Sequence, residues 1–283
     1  MHIAAALRAW IVESVQRGCT FDSMVQSMVE SGHKPGYARD VLQQVLGEGW
    51  RPIVAEVPAG ERLRVPEPLE GAGATFVETP DRRVEVLAAL RVPRIIVFGG
   101  VLAPEECEAL CELALPRMQR ARTINRDTGT PDEHVQRISD GMYFTRGEHE
   151  LVARIEDRLA ALMHWPVENG EGLQILRYSP GGEYQPHYDY FDPADPGSAL
   201  HIRAGGNRVA SLITYLRAPV EGGGTMFPDI GFEVAPVAGN AVFFAYDTPS
   251  PDSLTLHAGA PVVKGEKWIA TKWVRAGAYI APA

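Results

Sequence analysis

The sequence predicts a mainly β domain with flanking helices, of the sandwich, barrel or jelly-roll kind, preceded by a small N-terminal helical domain. The β prediction rests on the chain after residue 172. There LQILRYS, GEYQPHYDYF, RVASLITYL, GGTMFP, FEVAPV, NAVFFAY, LTLHAGAPVV and KWIATKWVRA follow one another with Gly, Pro, Asn and Asp between them. Many short runs punctuated this way are strands joined by tight turns. The helical prediction rests on apolar residues at a spacing of three and four, which occur before that region and not within it.

In order along the chain, residues 1–50 form the small helical domain. Its apolar positions are Ala6, Trp10, Ile11 and Val15, then Met24, Met28 and Val29, then Val41, Leu42 and Leu46, with Gly18, Gly32 and Gly47 where helices would stop. Residues 51–90 carry Pro52, Pro58, Pro66, Pro68 and Pro80 among charges and glycines, the composition of a linker or extended strap. Residues 91–283 are the main domain. PRIIVFGGVL reads as a buried strand, and APEECEALCELAL as a helix with a proline in its first turn. GEHELVARIEDRLAALMH places Leu151, Ile155, Leu159 and Leu162 on one stripe of a second helix.

The bulk numbers exclude several functions. The chain has 283 residues, 45% of them hydrophobic and 22% charged, which is ordinary for a globular protein. A formal charge of −9 argues against a nucleic-acid binder, although a local basic pocket for a small anion remains open. No apolar run approaches the roughly 18–20 residues of a membrane span. The first apolar stretch is broken by Arg8 and Glu13 with no small-residue cleavage site after it, so no secretion signal is expected. Cys19, Cys107 and Cys111 are too few and odd in number for a disulfide framework. A cytoplasmic location is expected. There is no GxGxxG and no P-loop, so nucleotide binding has no support. Oligomeric state is not readable.

The chemistry lies in GGEYQPHYDYFDP. His187 and Asp189 stand two apart, and in an extended chain residues i and i+2 point the same way. An imidazole and a carboxylate could then grip one ion, with His257 of SLTLHAGAP as the natural third donor. Two histidines and one carboxylate form the facial triad of non-haem iron(II) oxygenases. His187-x-Asp189 alone is a sparse signal. Lys267 strengthens it, because it opens the apolar strand KWIATKW, and lysine is seldom buried unless paired. A lysine there suits the far carboxylate of a dicarboxylic acid. Lys272, farther along the same strand, is the competitor.

At these residues the chain resembles the prolyl 4-hydroxylase branch of the iron(II)/2-oxoglutarate oxygenases. The resemblance runs from Pro93 to Trp273 through PRIIVFGGVLAPEEC, RISDGMYF, ENGEGLQILRYSPGGEYQPHYDYF, GGNRVASLITYLRAPVEGGGTMFP, FEVAPVAGNAVFF and HAGAPVVKGEKWIATKWVR. It implies a double-stranded β-helix (jelly roll) fold. It implies iron(II) on His187, Asp189 and His257, and the C5 carboxylate of 2-oxoglutarate on Lys267 and Tyr178. It also implies O₂ as co-substrate, ascorbate as a stimulant, and succinate and CO₂ as co-products of hydroxylating a proline-like amino acid, peptidyl or free. The family likeness places Arg137, Ser139, Glu171, Tyr184, Arg208 and Trp273 near the substrate. Residues 119–136 read as a polar lid. A free amino acid would need a carboxylate holder, for which Arg122, Arg137 and Arg208 are candidates. The alternative function is a non-catalytic cupin-like metal-binding or sensor module, which would have no use for the Tyr178/Lys267 pair.

Overall fold

In this computed structural model the residues described are 3–16, 21–47, 62–69, 73–121, 123–124, 131–132, 138–195 and 197–280. The chain forms two compact units, Met1–Glu61 and Arg62–Ala283. In the first, α1 (Ala5–Gln16), α2 (Phe21–Glu30) and α3 (Pro35–Leu46) enclose Ile11, Met24, Met28, Val41 and Leu42. These are the apolar positions whose helical spacing the sequence displays. Gly47 ends α3 at a φ of 86°, with its N–H bonded to the Gln43 carbonyl at 2.8 Å.

The second unit is a jelly roll. Its strands are β1 (Phe76–Glu78), β2 (Arg83–Leu90), β3 (Arg94–Gly99), β4 (Gln119–Arg120), β5 (Thr123–Ile124), β6 (Pro131–Asp132), β7 (Asp140–Phe144), β8 (Leu173–Tyr178), β9 (Tyr184–His187), β10 (Arg208–Arg217), β11 (Glu221–Gly222), β12 (Thr225–Phe227), β13 (Phe232–Val234), β14 (Ala241–Ala245), β15 (His257–Gly259), β16 (Val262–Lys264) and β17 (Lys267–Arg275). The large sheet has the order β1-β2-β3-β14-β10-β17-β8-β7-β4, and the small one β13-β12-β15-β9. From β8 onward the chain moves between them: β8, β10, β14 and β17 lie in the large sheet, and β9, β12, β13 and β15 in the small. That alternation winds one ribbon into two stacked sheets.

Residues 51–90 do not serve throughout as a strap. The segment from 76 to 90 forms the hairpin β1–β2 at the edge of the large sheet, closed where Thr79 bonds the Arg82 carbonyl. The hairpin is hard to see in sequence because β2 buries one residue, Val84, and leaves Leu87 half-exposed.

The period-two alternation of the large sheet feeds two cores. Ile213 and Tyr215 of β10, Val242 and Phe244 of β14, and Ile269 of β17 meet Phe227 and Val234 of the small sheet. Their neighbours Leu212, Leu216, Phe243, Trp268 and Ala270 face the other way. There they pack on α4 (Pro104–Ala114) and α5 (Glu150–Met163), against Leu110, Val152, Ile155 and Leu159. Cys107 and Cys111 sit in this second core as small apolar residues, both unbridged. Full burial of each large apolar side chain contributes roughly 1.5–3 kcal/mol, so both faces of the sheet are anchored.

A buried ion cluster fixes the helical layer. Arg158 of α5 forks onto Glu106 of α4 at 2.7 Å and onto Asp81 in the β1–β2 turn at 2.6 and 2.9 Å. Burial alone would raise the Glu106 carboxyl, but Arg158 and the Ala103 N–H hold it down at about 2. Among the described residues no helix is long and apolar enough to cross a membrane.

Candidate active site

The inner face of the jelly roll brings together residues that lie far apart in sequence. His187 closes β9, and β15 opens opposite it with His257. The two imidazole centroids are 4.2 Å apart. Asp189 follows β9 in a bend rather than in the strand. Its carboxylate still reaches the pair, 3.7 Å from His187 Nε2 and 3.5 Å from His257 Nε2. One ligand atom from each residue lies within 4.8 Å of the others, a spacing that could hold a metal ion.

The surroundings suit that use. His187 Nδ1 donates to the Gln185 carbonyl at 2.8 Å, and His257 Nδ1 to the Thr255 carbonyl at 3.0 Å. A carbonyl only accepts, so each ring keeps its basic lone pair on Nε2, facing the other donors. Asp189 is buried, and burial alone would push its carboxyl up. Without a metal, positive charge on His257 and His187 when they are protonated, then Arg208 and the Ser211 hydroxyl, hold it down instead. Tyr184 stacks on His187 with centroids 3.6 Å apart.

A cavity of about 430 Å³, solvent at its mouth included, runs past these residues. Lys267 lines it from the start of β17, opposite Tyr178 of β8. Lys267 is 2% exposed, its Nζ donates to the Gly223 carbonyl at 2.9 Å, and it lies 4.7 Å from the Tyr178 ring centroid. No carboxylate among the described residues pairs with it, and burial pushes its ammonium down to about 8. Gly223 makes this seat possible. It sits at a φ of +76°, and a Cβ there would come within 2.9 Å of Pro219 and 3.3 Å of the Lys267 stem.

Lys272 resolves the competition. An odd separation along β17 turns it to the opposite face, where its Nζ donates to Glu156 Oε1 at 2.6 Å and to the Glu171 carbonyl. It does not line the cavity, whereas Ile269, Thr271 and Trp273 do so with Lys267.

The residues expected near the substrate divide. Tyr184 and Trp273 line the cavity. Ser139 is buried, and its hydroxyl has no partner among the described residues. Glu171 and Arg208 are not on the wall. Arg208 forks onto Glu171 at 2.7 and 2.9 Å, and Arg275 adds a third bond at 2.6 Å. Burial would raise the Glu171 carboxyl, but the two arginines outweigh it and hold it below its usual range. A guanidinium and a carboxylate enclosed together bind each other first. Arg208 supports the site from behind, its Nη1 donating to the Asp189 carbonyl at 3.3 Å and its guanidinium lying 3.9 Å from the Trp273 ring centroid. Arg122 and Arg137 lie outside the described residues, as does most of 119–136, of which β4, β5 and β6 are described.

Sequence reasoning missed Gln174, Ser211 and Tyr246. Gln174 lines the cavity with Trp273, and its Oε1 and the Trp273 Nε1 are buried atoms with no partner among the described residues. Ser211 donates to Asp189 Oδ2 at 2.6 Å, and Tyr246 lies 3.1 Å behind Ser211. The signal available was their phase. Gln174 and Ser211 alternate with apolar residues along β8 and β10, and Tyr246 continues the phase of Val242 and Phe244 one residue past β14.

A jelly roll holding two histidines and a carboxylate beside an unpaired buried cation defines the 2-oxoglutarate- and iron(II)-dependent class of oxygenases. The matching family is described as the 2OG-Fe(II) oxygenase superfamily, over residues 173–275. The chain is 36% identical over 220 residues to a probable prolyl 4-hydroxylase 10 of Arabidopsis thaliana, covering 70% of this chain and 74% of that one. It is 40% identical over 201 residues to prolyl 4-hydroxylase 1 of the same plant, covering 65% and 69%. A solved viral collagen prolyl hydroxylase of Paramecium bursaria Chlorella virus-1, in complex with 2-oxoglutarate, aligns at 30% identity and a TM-score of 0.49, over 64% of this chain and 94% of that one. The chain belongs to the prolyl 4-hydroxylase-like 2-oxoglutarate/iron(II) oxygenases. It is an enzyme, a dioxygenase of a family that uses iron(II), 2-oxoglutarate and O₂, with ascorbate as the usual stimulant. The alternative of a non-catalytic module falls with that membership.

Proposed function

We propose that this enzyme hydroxylates a prolyl residue within a peptide, with His187, Asp189 and His257 holding iron(II), and Lys267 with Tyr178 holding the C5 carboxylate of 2-oxoglutarate. The donor set fits the metal: two imidazoles with Nε2 presented and one carboxylate leave the other side of an ion open. When bound, iron(II) supplies O₂ activation coupled to decarboxylation of the ketoacid to succinate and CO₂, delivering one oxygen atom to a C–H bond.

The chain's own residues do the placing. Lys267 gives a charge-assisted anchor in a low-dielectric pocket, where such a contact is strongest. Ile213, Ile269 and Leu176 give the cavity apolar walls that limit water near the reacting centre. Lys267 and Trp273 stand six residues apart on β17, so their α-carbons are about 20 Å from each other. That distance separates a ketoacid end from a substrate end.

One observation carries the peptide reading. Among the described residues lining the cavity, Lys267 is the one lysine or arginine. A ketoacid's far carboxylate takes it, and among the described residues of that wall no second lysine or arginine is left for the carboxylate of free proline or pipecolate. Arg208, the described candidate for that task, is committed to Glu171. Trp273 and Gln174 line the same wall, and their Nε1 and Oε1 are a buried donor and acceptor without a partner among the described residues, the pair that a peptide group would satisfy if it uncovered them. The relatives named prolyl 4-hydroxylases support the same choice.

The test is mass spectrometry after incubation with iron(II), ascorbate and 2-oxoglutarate. Proline-containing peptides should gain one oxygen atom with matching succinate, and free proline and pipecolate should be unchanged. Product on the free imino acids and none on peptides would overturn the reading.

A further inference from the structure

Behind Asp189 lies a directed chain of two hydroxyls. Ser211 is on β10, opposite Trp273 of β17 and Phe244 of β14, and is fully buried. Its Oγ is 2.6 Å from Asp189 Oδ2. Tyr246 follows β14, with its N–H on the Val209 carbonyl at 3.0 Å and its ring edge-on to Tyr190 at 5.9 Å. Its hydroxyl is 3.1 Å from Ser211 Oγ, and the residue is 2% exposed.

Proton bookkeeping gives the direction. An ionised carboxylate only accepts, so Ser211 donates its single proton to Oδ2. Ser211 then has lone pairs left, and Tyr246 donates to them. A hydroxyl buried without a partner carries a large desolvation penalty, so the order Tyr246, Ser211, Oδ2 satisfies every group. The chain ends on one carboxylate oxygen. That oxygen, Oδ2, also lies 3.5 Å from His257 Nε2, while Oδ1 lies 3.7 Å from His187 Nε2.

We infer that Ser211 and Tyr246 are positioning residues that hold the Asp189 carboxylate in one orientation through Oδ2 and so favour its binding a metal through one oxygen. The consequence concerns vacancies. An ion with six positions, held by two histidines and one carboxylate oxygen, would keep three, enough for a chelating ketoacid and O₂. A carboxylate free to swing and bind through both oxygens would take one of them. The inference deepens the metal-centre reading given above and rests on it.

The experiment is calorimetric titration of metal-free full-length protein with Mn(II), then of the Mn(II)-saturated protein with 2-oxoglutarate, without O₂. Second-sphere losses weaken metal binding by about 10- to 100-fold, and Ser211→Ala should fall in that range. It should also weaken 2-oxoglutarate at saturating Mn(II). Ser211→Thr, which keeps the hydroxyl, should restore both. Tyr246→Phe should give a smaller loss of metal affinity, a few-fold, and no further loss in the Ser211→Ala background, because it acts through Ser211. A packing role alone would lower the melting temperature and leave both affinities per folded molecule unchanged. That outcome overturns the inference, as does a Tyr246→Phe effect that survives in Ser211→Ala. Should Ser211→Ala not fold, Tyr246→Phe carries the test, with unchanged metal affinity as the overturning result. His257→Ala separates the two levels. If it binds Mn(II) as tightly as wild type, the metal-centre reading fails and the inference with it. If it loses Mn(II) while Ser211→Ala does not, the inference alone fails.

Discussion

Lys267 and Lys272 share one strand, and each is 2% exposed, yet they are buried in opposite ways. Lys272 faces α5, with the Glu156 carboxylate 2.6 Å away. Burial pushes its ammonium down while Glu156 pulls it back up. Lys267 faces the cavity with a carbonyl for a partner, and burial alone acts on it. A protein tolerates a buried ammonium when the opposite charge is built in, or when it arrives as a ligand. The face of β17 towards the helices is closed electrostatically, and the face towards the histidines is left open.

The comparison is most easily broken through Lys272. Replacing it with Ala leaves Glu156 as an uncompensated buried charge, which costs about 3–5 kcal/mol of stability. Thermal unfolding should register that loss, while 2-oxoglutarate affinity per folded molecule stays at the wild-type value. Lys267→Met should do the reverse. Binding of 2-oxoglutarate should weaken by about 2–5 kcal/mol, the usual range for removing one partner of a buried charge pair. Stability without ligand should hold or rise, since an unpaired buried cation is gone. Loss of fold in Lys267→Met with normal 2-oxoglutarate binding would invert the assignment.

A pH series sharpens the contrast. The Lys267 ammonium is depressed from 10.5 to about 8 in the folded protein. Between those values the unfolded chain binds more protons, so stability of the ligand-free protein rises with pH across that window. The penalty is fully present below pH about 8 and gone above about 10.5, a change of up to about 3 kcal/mol. The difference between wild type and Lys267→Met should shrink accordingly. In the same window 2-oxoglutarate affinity should fall by about tenfold per pH unit, since an anion needs the protonated amine. A flat profile would place the carboxylate elsewhere. The smallest effect belongs to the other end of the cavity. Trp273→Phe keeps an aromatic ring but removes the buried N–H that has no partner among the described residues, so if a peptide group takes that N–H, peptide KM should rise by roughly 1 kcal/mol, or several-fold, with 2-oxoglutarate affinity unmoved.

What was legible in the sequence follows the range of the interaction. His187 and Asp189 are neighbours in the chain, and the block order that resembles the family located His257, Lys267 and Tyr178. The structure gathers all five around one cavity. The choice between the two lysines needed the phase of β17, which the register against β8 supplies by setting Lys267 opposite Tyr178. Glu171 and Arg208 were read as substrate contacts because each matches the family block alone. Their mutual pairing spans 37 residues, with β8 and β9 between them, and no local pattern encodes it. Ser211 and Tyr246 were overlooked as isolated polar residues in apolar strands, although burial demands partners for them. The hairpin β1–β2 was hidden by its exposed edge position.

The central claim is that the Lys267 ammonium meets the far carboxylate of the ketoacid bound at the His187–Asp189–His257 centre. Its most direct test is a cycle of ligand and protein changes. 2-Oxoglutarate and 2-oxovalerate, which has a methyl group in place of that carboxylate, are titrated into Mn(II)-loaded wild type, Lys267→Met and Lys272→Met. The account predicts that wild type and Lys272→Met prefer 2-oxoglutarate by about 2 kcal/mol or more, and that Lys267→Met has no preference. Equal discrimination by Lys267→Met and wild type would contradict it.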